Sequence, residues 1–399
     1  MTSILHIIDI ILFITILSGS IYIIIFIIAH FFKTTNRASN KTGKKYLVLF
    51  PAYNEDKTII NTIKSFLKQD YPSELYKVLV ISDHMSEETN KKLKELGASI
   101  VIAHYKDSSK AKALQLASDY ISKETIQNSD QDIDTLFDGV VILDADNTVD
   151  FNFLTIVDHY FDRGRFIQVH RTSKNRNTST AVLDAASEEI NNAIFRKGHT
   201  NLGLSSALIG SGMIFDYKWF IENVYNLKTT GEDKEFEILL LKNRHKIEYI
   251  NHILVYDEKT QKSENFYKQR ERWISSQLSS FSLIFKDIFP AILKGNFDYA
   301  DKLFQWLLLP RIMYPGLTVI FGIIAYIINP QYAIKWLILF VIIIFMFILA
   351  IPKKYRDYKL LKSIATLPLL FIMIGMNLFK TKRNNYKFIH TEKDYENRD

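Results

Sequence analysis

The chain has 399 residues, no cysteine, and 50 lysines and arginines against 43 acidic residues, which gives a formal net charge of +7. The lack of cysteine excludes a disulfide scaffold and a thiolate metal site. The mean hydropathy is close to zero, as in many soluble proteins, but the apolar residues are concentrated near both ends. The average therefore combines membrane segments and a water-soluble domain in one chain.

The first apolar segment, residues 4–32, contains one acid, Asp9, and neither lysine nor arginine. It is long enough to cross a hydrocarbon layer of about 30 Å, and we predict an N-terminal transmembrane anchor over residues 1–32. A cleaved signal peptide is the competing interpretation, but it needs a basic start, a shorter apolar run and a small-residue cleavage site, which are missing here. The basic residues that follow favour a cytoplasmic position for the next domain. They are Lys33, Arg37, Lys41, Lys44 and Lys45.

Residues 33–286 are predicted to form one cytoplasmic α/β domain, because short apolar runs alternate there with amphipathic stretches. Repeated strand and helix units indicate a mostly parallel sheet covered on both faces. The polar stretch 124–138 is predicted to be an exposed loop. The four predicted strands are residues 46–50, 77–82, 99–104 and 139–146.

Ligands of such sheets bind beyond the carboxyl ends of the strands. Three groups of polar residues directly follow predicted strands and therefore belong to this rim. They are Asn54–Asp56, Asp83 and Asp144–Asp146.

After the domain the chain is apolar again, and residues 287–380 are predicted to be a transmembrane and interfacial bundle, followed by a polar tail at 381–399. The stretch 274–293 is too polar to span and is predicted to lie on the membrane surface. Three segments have the length of membrane spans. They are residues 303–328, 333–351 and 360–379.

The first of these segments is interrupted by Pro310, Pro315 and Gly316 and contains Arg311, so we expect it to be kinked or partly interfacial. Three crossings after a cytoplasmic domain would place the C-terminus outside, whereas basic residues near the C-terminus favour the inside. Either the last segment is re-entrant or the broken one does not cross completely. The basic residues are Lys380, Lys382, Arg383 and Lys387.

The sequence LDAD, residues 143–146, closes an apolar run with two carboxylates, Asp144 and Asp146. Residues two apart on an extended backbone point the same way, so both acids can address one hard cation, or a cation and a sugar hydroxyl. By itself the pattern is weak, and a solvated turn is the alternative. PAYNED, residues 51–56, and Asp83 follow the first two strands, where a base and a ribose can bind.

Two further motifs lie in predicted helices. Glu232 and Asp233 begin one helix, where acids are also ordinary N-terminal residues that favour the helix dipole. Gln269, Arg272 and Trp273 in QRERW share one face of another helix. A guanidinium beside an indole suits a diphosphate next to a sugar ring, and a membrane-interface tryptophan is the alternative.

In this order, and between membrane segments, the motifs PAYNED, Asp83, DAD, GED and QRERW resemble those of the processive-type inverting glycosyltransferases of family 2. That group contains the cellulose, chitin, hyaluronan and poly-N-acetylglucosamine synthases. SSKAKAL (108–114), LIGSGMIF (208–215) and VYDEKTQKSENFYKQRERW (255–273) resemble further segments of the family. The resemblance implies a GT-A domain for nucleotide-diphospho-sugar transfer, with a mostly parallel sheet and transmembrane helices at both ends.

The resemblance also implies roles for individual residues. Asp146 would bind Mg²⁺ or Mn²⁺, and Asp233 would be the general base, beside Glu232. The acceptor would bind at Gly210, Ser211, Gly212 and Trp273. The nucleotide sugar would bind at Ala52, Tyr53, Glu55, Asp83, Lys110, Asp144, Gln269 and Arg272.

Two departures from the family pattern leave donor preference open: the second motif reads SDH rather than paired acids, and Gly231 stands where threonine is common. Neither removes an essential carboxylate. The expected reaction is β-glycoside formation from a UDP-sugar, with a glycan or lipid-linked acceptor, in a multi-pass protein of a bacterial-type inner (cell) membrane.

Alternatives remain at this point. The same domain could add one sugar to a lipid-linked acceptor rather than extend a polysaccharide, and the sequence leaves room for an accessory subunit. A catalytically silent nucleotide-sugar-binding subunit is disfavoured because all the expected carboxylates are present. A transporter is disfavoured because few polar residues lie in the predicted spans. Nucleic acid is not an expected partner, since the basic residues flank the membrane segments and suit lipid headgroups better.

Overall fold

The structure, a computed structural model, describes residues 2–33, 36–39, 41–128 and 133–380. The predicted polar tail at 381–399, including Lys382, Arg383 and Lys387, lies outside these residues.

The domain is built on one mixed sheet of eight strands, in the order β3-β2-β1-β4-β7-β6-β8-β5. Four strand pairs are parallel (β1 with β2, β2 with β3, β1 with β4, β6 with β8) and three are antiparallel. This confirms the mostly parallel α/β sheet. The strands are β1 Tyr46–Tyr53, β2 Tyr76–Asp83, β3 Ser99–Ala103, β4 Gly139–Ile142, β5 Thr148–Val149, β6 Phe166–Ser173, β7 Met213–Asp216 and β8 Ile247–Asp257.

Strand β1 shows why the sheet is covered on both faces. Its successive residues point to opposite sides, and every residue from Tyr46 to Phe50 is buried. Leu47 and Leu49 pack into one hydrophobic core, and Tyr46, Val48 and Phe50 pack into the other. A continuous apolar run is what a strand buried on both faces requires.

Helices cover the sheet and continue into the terminal segments. A π-helical segment, Asn192–Gly198, joins α6 to α7. The helices are α1 Thr2–His30, α2 Ile59–Phe66, α3 Glu87–Glu95, α4 Lys110–Asn128, α5 Phe153–Tyr160, α6 Ser179–Asn191, α7 His199–Asn201, α8 Tyr217–Asn223, α9 Glu232–Lys242, α10 Ser263–Ile284, α11 Ile288–Leu293, α12 Phe297–Leu307, α13 Met313–Ile328, α14 Pro330–Ala350, α15 Tyr358–Ser363 and α16 Leu367–Lys380.

Three predicted boundaries are wrong. The last predicted strand, 139–146, ends at Ile142, so the DAD residues lie in a turn and not on an extended backbone. The predicted loop 124–138 begins as helix, because α4 continues to Asn128. The predicted start of the segment 303–328 is wrong, because residue 303 lies inside α12, which begins at Phe297 and packs on the domain core through Leu303 and Trp306. The predicted interruption of this segment is confirmed, since Pro310 lies between the end of α12 at Leu307 and the start of α13 at Met313.

Three helical segments of the described chain are long and apolar enough to cross a membrane: 4–30, 330–350 and 358–378. Helix α13 is apolar but shorter, with 16 residues, which corresponds to about 24 Å. It forms a hairpin with α14 at Asn329, whose side chain caps α14. Near the start of α14, the Lys335 ammonium and the Trp336 indole N–H both bond the Asp9 carboxylate of α1, the indole at 2.8 Å.

Candidate active site

The ends of β1 and β2 form one side of the candidate site. Tyr53 and Asp83 are register partners at these two ends. The backbone N–H of Asn54 donates to the backbone carbonyl oxygen of Asp83 at 3.0 Å. Asn54 and His84 have φ values of +53° and +57°. Left-handed backbone is uncommon for residues other than glycine and concentrates in turns and functional sites. Both strands therefore end in sharp turns at this rim, beside the buried Ala52.

The Asp83 carboxylate accepts a hydrogen bond from Nδ1 of His84 at 2.6 Å. The His84 ring also lies 5.2 Å from the Tyr53 ring, centroid to centroid. The Glu55 carboxylate accepts a hydrogen bond from the Thr58 hydroxyl at 2.8 Å. The structure thus brings Tyr53 and Asp83 together, and Glu55 follows on the same turn.

A second group of polar residues is centred on the Lys110 ammonium. It is ion-paired with Asp144, donates to the Gly210 carbonyl oxygen at 2.6 Å, and lies 3.7 Å from Oε1 of Glu232. The four residues come from the start of α4, the turn after β4, the loop before β7 and the start of α9. Lys110 therefore joins four segments that are far apart in sequence.

This group perturbs the titration of Glu232. Burial raises the Glu232 pKa to about 7; the Lys110 ammonium opposes that rise, and the Asp233 carboxylate adds to it. Arg272 lies within electrostatic range of the same acids. Burial lowers the pKa of Arg272, while Glu232, Asp144 and Asp233 raise it. Helix α10, which contains QRERW, therefore brings the Arg272 guanidinium close to Asp144, Glu232 and Asp233.

Asp146 is held in a separate network beside this group. The side-chain amide of Asn147 donates to Asp146 at 3.0 Å and to Asp257 at 3.4 Å. The Ser211 hydroxyl donates to Asn147 and accepts from the Asp144 amide at 3.1 Å. The turn of the DAD motif is therefore fixed by residues from two other segments.

Asn147 and Asp257 were not among the predicted site residues. Asn147 follows DAD directly, and Asp257 ends strand β8 beside Ser173 of β6. The sequence offered only a weak signal for them, because their link to Asp146 depends on a contact across 110 positions.

In the described part of the chain, no group of three or more histidine, aspartate or glutamate side chains is arranged to hold a metal ion. Asp146 has a buried carboxylate, and Asp257 is linked to it through Asn147. One or two carboxylates together with substrate phosphates are a common coordination set for Mg²⁺. The residues present fit a cation that is bound together with a diphosphate.

The loop before β7 packs tightly against the sheet. Gly212 has a φ of +65°, and a Cβ there would lie 2.6 Å from Cγ2 of Val169. The side-chain amide of Gln168 donates to the carbonyl oxygens of Ser211 and Gly212, at 2.9 and 3.1 Å. Ser211 is fully buried, and its hydroxyl faces the DAD turn. Gly210, with a φ of +80°, is the part of this loop beside Lys110 and Glu232.

Asp233 is half-buried in the first turn of α9, where its carboxylate accepts the Lys234 amide at 2.8 Å. On α10, the Arg270 guanidinium lies over the Trp273 ring at 4.2 Å. Oε1 of Gln269 is buried and has no hydrogen-bond partner among the described residues. One face of Trp273 is therefore covered by the chain itself.

The chain is similar to known proteins in both sequence and structure. A sequence model described as "Glycosyltransferase like family 2" matches residues 44–276. No curated protein sequence gives a significant match. Among solved structures, the mannosyltransferase PcManGT from Pyrobaculum calidifontis, in complex with GDP-Man and Mn²⁺, is similar with a TM-score of 0.59 and 13% identity. That match covers 95% of this chain and 100% of PcManGT.

Two other similarities are weaker. TarS 1–349 from S. aureus, in complex with UDP-GlcNAc, has 14% identity and a TM-score of 0.40, covering 88% of this chain and 100% of TarS 1–349. Glucosyl-3-phosphoglycerate synthase from Mycobacterium tuberculosis, in complex with Mn²⁺, UDP-Glc and phosphoglyceric acid, has 18% identity and a TM-score of 0.39, covering 60% and 80%. The sequence model spans more than half of the chain, and with the α/β fold it shows that the protein is a glycosyltransferase of family 2 with a GT-A domain.

Proposed function

We propose that the protein is a membrane-bound inverting glycosyltransferase that uses a UDP-sugar donor and forms β-glycosidic bonds, extending a polysaccharide or oligosaccharide. The observation that carries this proposal is the convergence of the DAD turn, the glycine loop and the start of α9 on Lys110. The half-buried ammonium there matches the negative charge of a nucleotide diphosphate.

The donor is proposed to lie along the rim of the sheet. The two turns after β1 and β2 leave Tyr53 and Asp83 as register partners, where a base and a ribose can stack and hydrogen-bond. The diphosphate then lies toward the Lys110 group and α10. The proposed donor residues are Ala52, Tyr53, Glu55, Asp83, Lys110, Asp144, Gln269 and Arg272.

A divalent cation, Mg²⁺ or Mn²⁺, is proposed to bind at Asp146. Asp146 is buried and oriented by the Asn147 amide, so its carboxylate is preorganised. The solved PcManGT structure is a complex with Mn²⁺. When bound, such a cation offsets the charge that develops on the leaving diphosphate.

Asp233 is proposed as the general base. Its carboxylate takes the proton of the acceptor hydroxyl while that oxygen forms its bond to the anomeric carbon and the bond from this carbon to the diphosphate breaks. Lys110 and Arg272 stabilise the negative charge on the departing nucleotide diphosphate. Glu232 lies 3.7 Å from Nζ of Lys110, so its protonation state sets the net charge around that ammonium. A single displacement inverts the anomeric carbon, so an α-linked donor gives a β-glycoside.

The acceptor is proposed to bind between Trp273 and the loop of Gly210, Ser211 and Gly212. Arg270 covers one face of the indole, and the other face is proposed as the platform for a sugar ring. The buried, unpartnered oxygen of Gln269 lies on the same helix face.

The protein is further proposed to be a multi-pass protein of a bacterial-type cell membrane with a cytoplasmic domain. After the hairpin of α13 and α14 the chain returns to the domain, where Arg176 pairs with Asp357 at 2.9 Å and Thr172 bonds Tyr355 at 2.9 Å. The segment 358–380 then packs along α10, and the Asn377 amide donates to Tyr267 at 3.2 Å. These contacts support a last segment that stays beside the domain.

The test is a donor screen on protein purified in detergent, with labelled UDP-glucose, UDP-N-acetylglucosamine, UDP-galactose, UDP-glucuronate and GDP-mannose, followed by sizing of the product. A ladder of lengths from a UDP-sugar supports extension. Transfer from GDP-mannose alone, or consumption of no donor, contradicts the proposal. Asp233→Asn is expected to abolish transfer but keep nucleotide binding, and equal loss of both would contradict the role of Asp233.

A second candidate is the transfer of one sugar to a lipid-linked acceptor, which would give a single product band in the same assay. It is favoured by a cluster of positive charge where the domain meets the apolar helices, around Arg311.

A further inference from the structure

Arg311 lies in the break between α12 and α13 and is only half-buried. Its Nη2 donates to the Ser187 hydroxyl at 3.0 Å, and its guanidinium lies 5.7 Å from the centre of the Phe195 ring. No carboxylate of the described residues pairs with it within 4.0 Å. Burial, together with the neighbouring Arg270 charge, lowers its pKa to about 9. A guanidinium has five N–H donors, and among the described residues the Ser187 hydroxyl is the one acceptor of this guanidinium.

The nearby carboxylates already serve other cations. Glu188 accepts from Arg196 at 2.8 Å and from Arg171 at 3.0 Å, and Nζ of Lys259 lies 3.6 Å away. One acid is thus shared by three cations.

Two more acids complete the cluster. Asp184 is ion-paired with Arg270, and Asp257 lies 2.9 Å from Nζ of Lys259. Among the described residues the cluster therefore has five cations for three carboxylates, and Arg311 is the one of these cations that has no acidic partner. A partly buried cation without a counter-charge is unfavourable, so an anionic ligand at this point would stabilise the cluster.

The chain around Arg311 is apolar. The neighbouring Ile312 packs against a buried hydrophobic cluster that joins α6, α10, α13 and α16. Helix α13, which begins two residues after Arg311, then exposes the apolar side chains of Val319, Ile320, Ile323 and Ile324. A ligand at Arg311 therefore meets a cation close to an exposed apolar helix. That combination suits an anionic head group carried by a hydrocarbon chain.

Arg311 is also connected to the proposed acceptor platform. Arg270 lies over the Trp273 ring at 4.2 Å and is the charged neighbour that most strongly affects Arg311. Trp273, Arg270 and Arg311 therefore form a series from the platform to the apolar helices. The donor diphosphate is assigned to different cations, Lys110 and Arg272.

We propose that Arg311 binds the phosphate of an amphiphilic acceptor, whose hydrocarbon chain lies along the apolar side chains that α13 exposes. A planar guanidinium can bind two phosphate oxygens at once, and the Ser187 hydroxyl holds it in place. This inference rests on the proposed glycosyltransferase reaction and specifies the acceptor class. It favours a phosphate-bearing lipid over a free neutral glycan as the first acceptor.

The test compares Arg311→Gln and Arg311→Lys with the unaltered full-length protein in detergent. The probes are a long-chain alkyl phosphate and the corresponding alkyl alcohol, and their binding is measured directly and by competition with transfer. Arg311→Gln is expected to weaken alkyl phosphate binding about 10- to 100-fold, the usual worth of a charge-assisted hydrogen bond. Arg311→Lys is expected to keep part of the affinity, and alcohol binding should be weak in all three.

Nucleotide-sugar binding must stay unchanged in both variants, which shows that the domain is folded. Lys359→Gln, at an exposed position between α14 and α16, is the matched control and should bind the alkyl phosphate normally. Equal binding of phosphate and alcohol, or an unchanged affinity in Arg311→Gln, overturns the proposal.

A third arm uses vesicles with and without anionic phospholipid, to separate the acceptor phosphate from ordinary lipid headgroups. If Arg311→Gln lowers vesicle binding by the same factor as alkyl phosphate binding, the site serves bulk lipid and the proposal is overturned. Because binding is measured without turnover, a failure of the proposed function shows separately, as the absence of donor consumption by the unaltered protein.

Discussion

The ammonium group of Lys302 lies 3.9 Å from Oε1 of Glu237, and the two side chains are 1% and 0% exposed. The same Glu237 oxygen accepts the Leu208 amide at 2.5 Å, and its other oxygen lies 3.9 Å from Nζ of Lys234. One buried carboxylate thus joins α12, the segment that leads into the glycine loop, and α9, which begins with Glu232 and Asp233. Helix α12 therefore contacts, through this carboxylate, both the segment before the glycine loop and the helix that begins with Glu232 and Asp233.

We expect Glu237→Gln to destabilise the protein strongly, because the amide leaves Lys302 buried without a charge partner. Breaking one side of a buried ion pair costs about 3–5 kcal/mol. The double variant Glu237→Gln with Lys302→Met should recover a large part of this loss, since it removes the unpaired charge. The free energy of unfolding in detergent measures the effect.

Lys242→Gln is the control for that series. Lys242 lies at the exposed end of α9, the helix that contains Glu237, and pairs with Asp287 at 3.1 Å. A surface pair contributes about 0–1 kcal/mol, so little change is expected. If Glu237→Gln lowers the free energy of unfolding no more than Lys242→Gln does, the buried pair does not stabilise the position of α9.

Features that depend on neighbouring residues could be predicted from the sequence, and features that depend on contacts between distant residues could not. Strand β1 and the acids after β2 and β4 were predictable, because a run buried on both faces is visible in five consecutive residues such as YLVLF. The turn at Asp144–Asp146 was not, because Asn147 and Ser211 bond across 64 positions to shape it. Local pattern specifies elements, whereas contacts between distant segments specify where an element ends.

The C-terminal helices show the same limit. Apolar content indicated segments of the right length, and Pro310 indicated the interruption of 303–328, but neither placed α12 on the domain core. The position of α12 depends on contacts with distant segments: Leu303 and Trp306 pack on the domain core, and the Tyr22 hydroxyl of α1 donates to Asp301 at 2.7 Å. Arg311 stands out in the sequence as a cation in an apolar segment, but its lack of an acidic partner among the described residues is a property of the three-dimensional structure.

The glycine loop gives a prediction about packing. Gly212→Ala should destabilise the protein more than Gly210→Ala, although both have positive φ. A Cβ at Gly212 would lie 2.6 Å from Val169 and 3.0 Å from Val255, whereas at Gly210 the nearest atom is 3.5 Å away. The backbone strain costs about 1–2 kcal/mol in each case, and the crowding at Gly212 adds about 1–3 kcal/mol.

Gly203→Ala is the matched control, because Gly203 has a φ of +84° and a Cβ added there would meet no atom within 4 Å. Thermal unfolding of the three variants separates backbone strain from crowding. Equal losses at Gly203 and Gly212 would show that the loop can move away from the sheet.

The pair of Asp9 and Lys335 predicts a coupling between the two apolar helices α1 and α14. Asp9→Asn keeps an acceptor for the Trp336 indole N–H but leaves Lys335 without its counter-charge. We expect a loss of about 2–4 kcal/mol in detergent, because ionisable groups among apolar helices are stabilised by pairing. Lys335→Gln in the Asp9→Asn background should restore part of it, and strict additivity of the two losses would show that the residues do not interact.

The last prediction concerns pH and Glu232, whose pKa burial raises to about 7. Below pH 7 the carboxyl is neutral, so the Lys110 ammonium, 3.7 Å away, is left with more positive charge for the donor diphosphate. Above pH 7 the carboxylate forms and competes with that diphosphate. Donor affinity should therefore fall by about three- to tenfold between pH 6 and pH 8, as expected for one nearby charge that is partly screened.

Glu232→Gln should remove this dependence and keep the higher affinity at pH 8. Calorimetric binding of an intact UDP-sugar is the appropriate measurement, because its diphosphate does not titrate between pH 6 and pH 8, whereas the terminal phosphate of free UDP does. The same pH slope in Glu232→Gln and in the unaltered protein would show that another group controls donor binding. A flat profile in the unaltered protein would show that Lys110 does not contact the diphosphate.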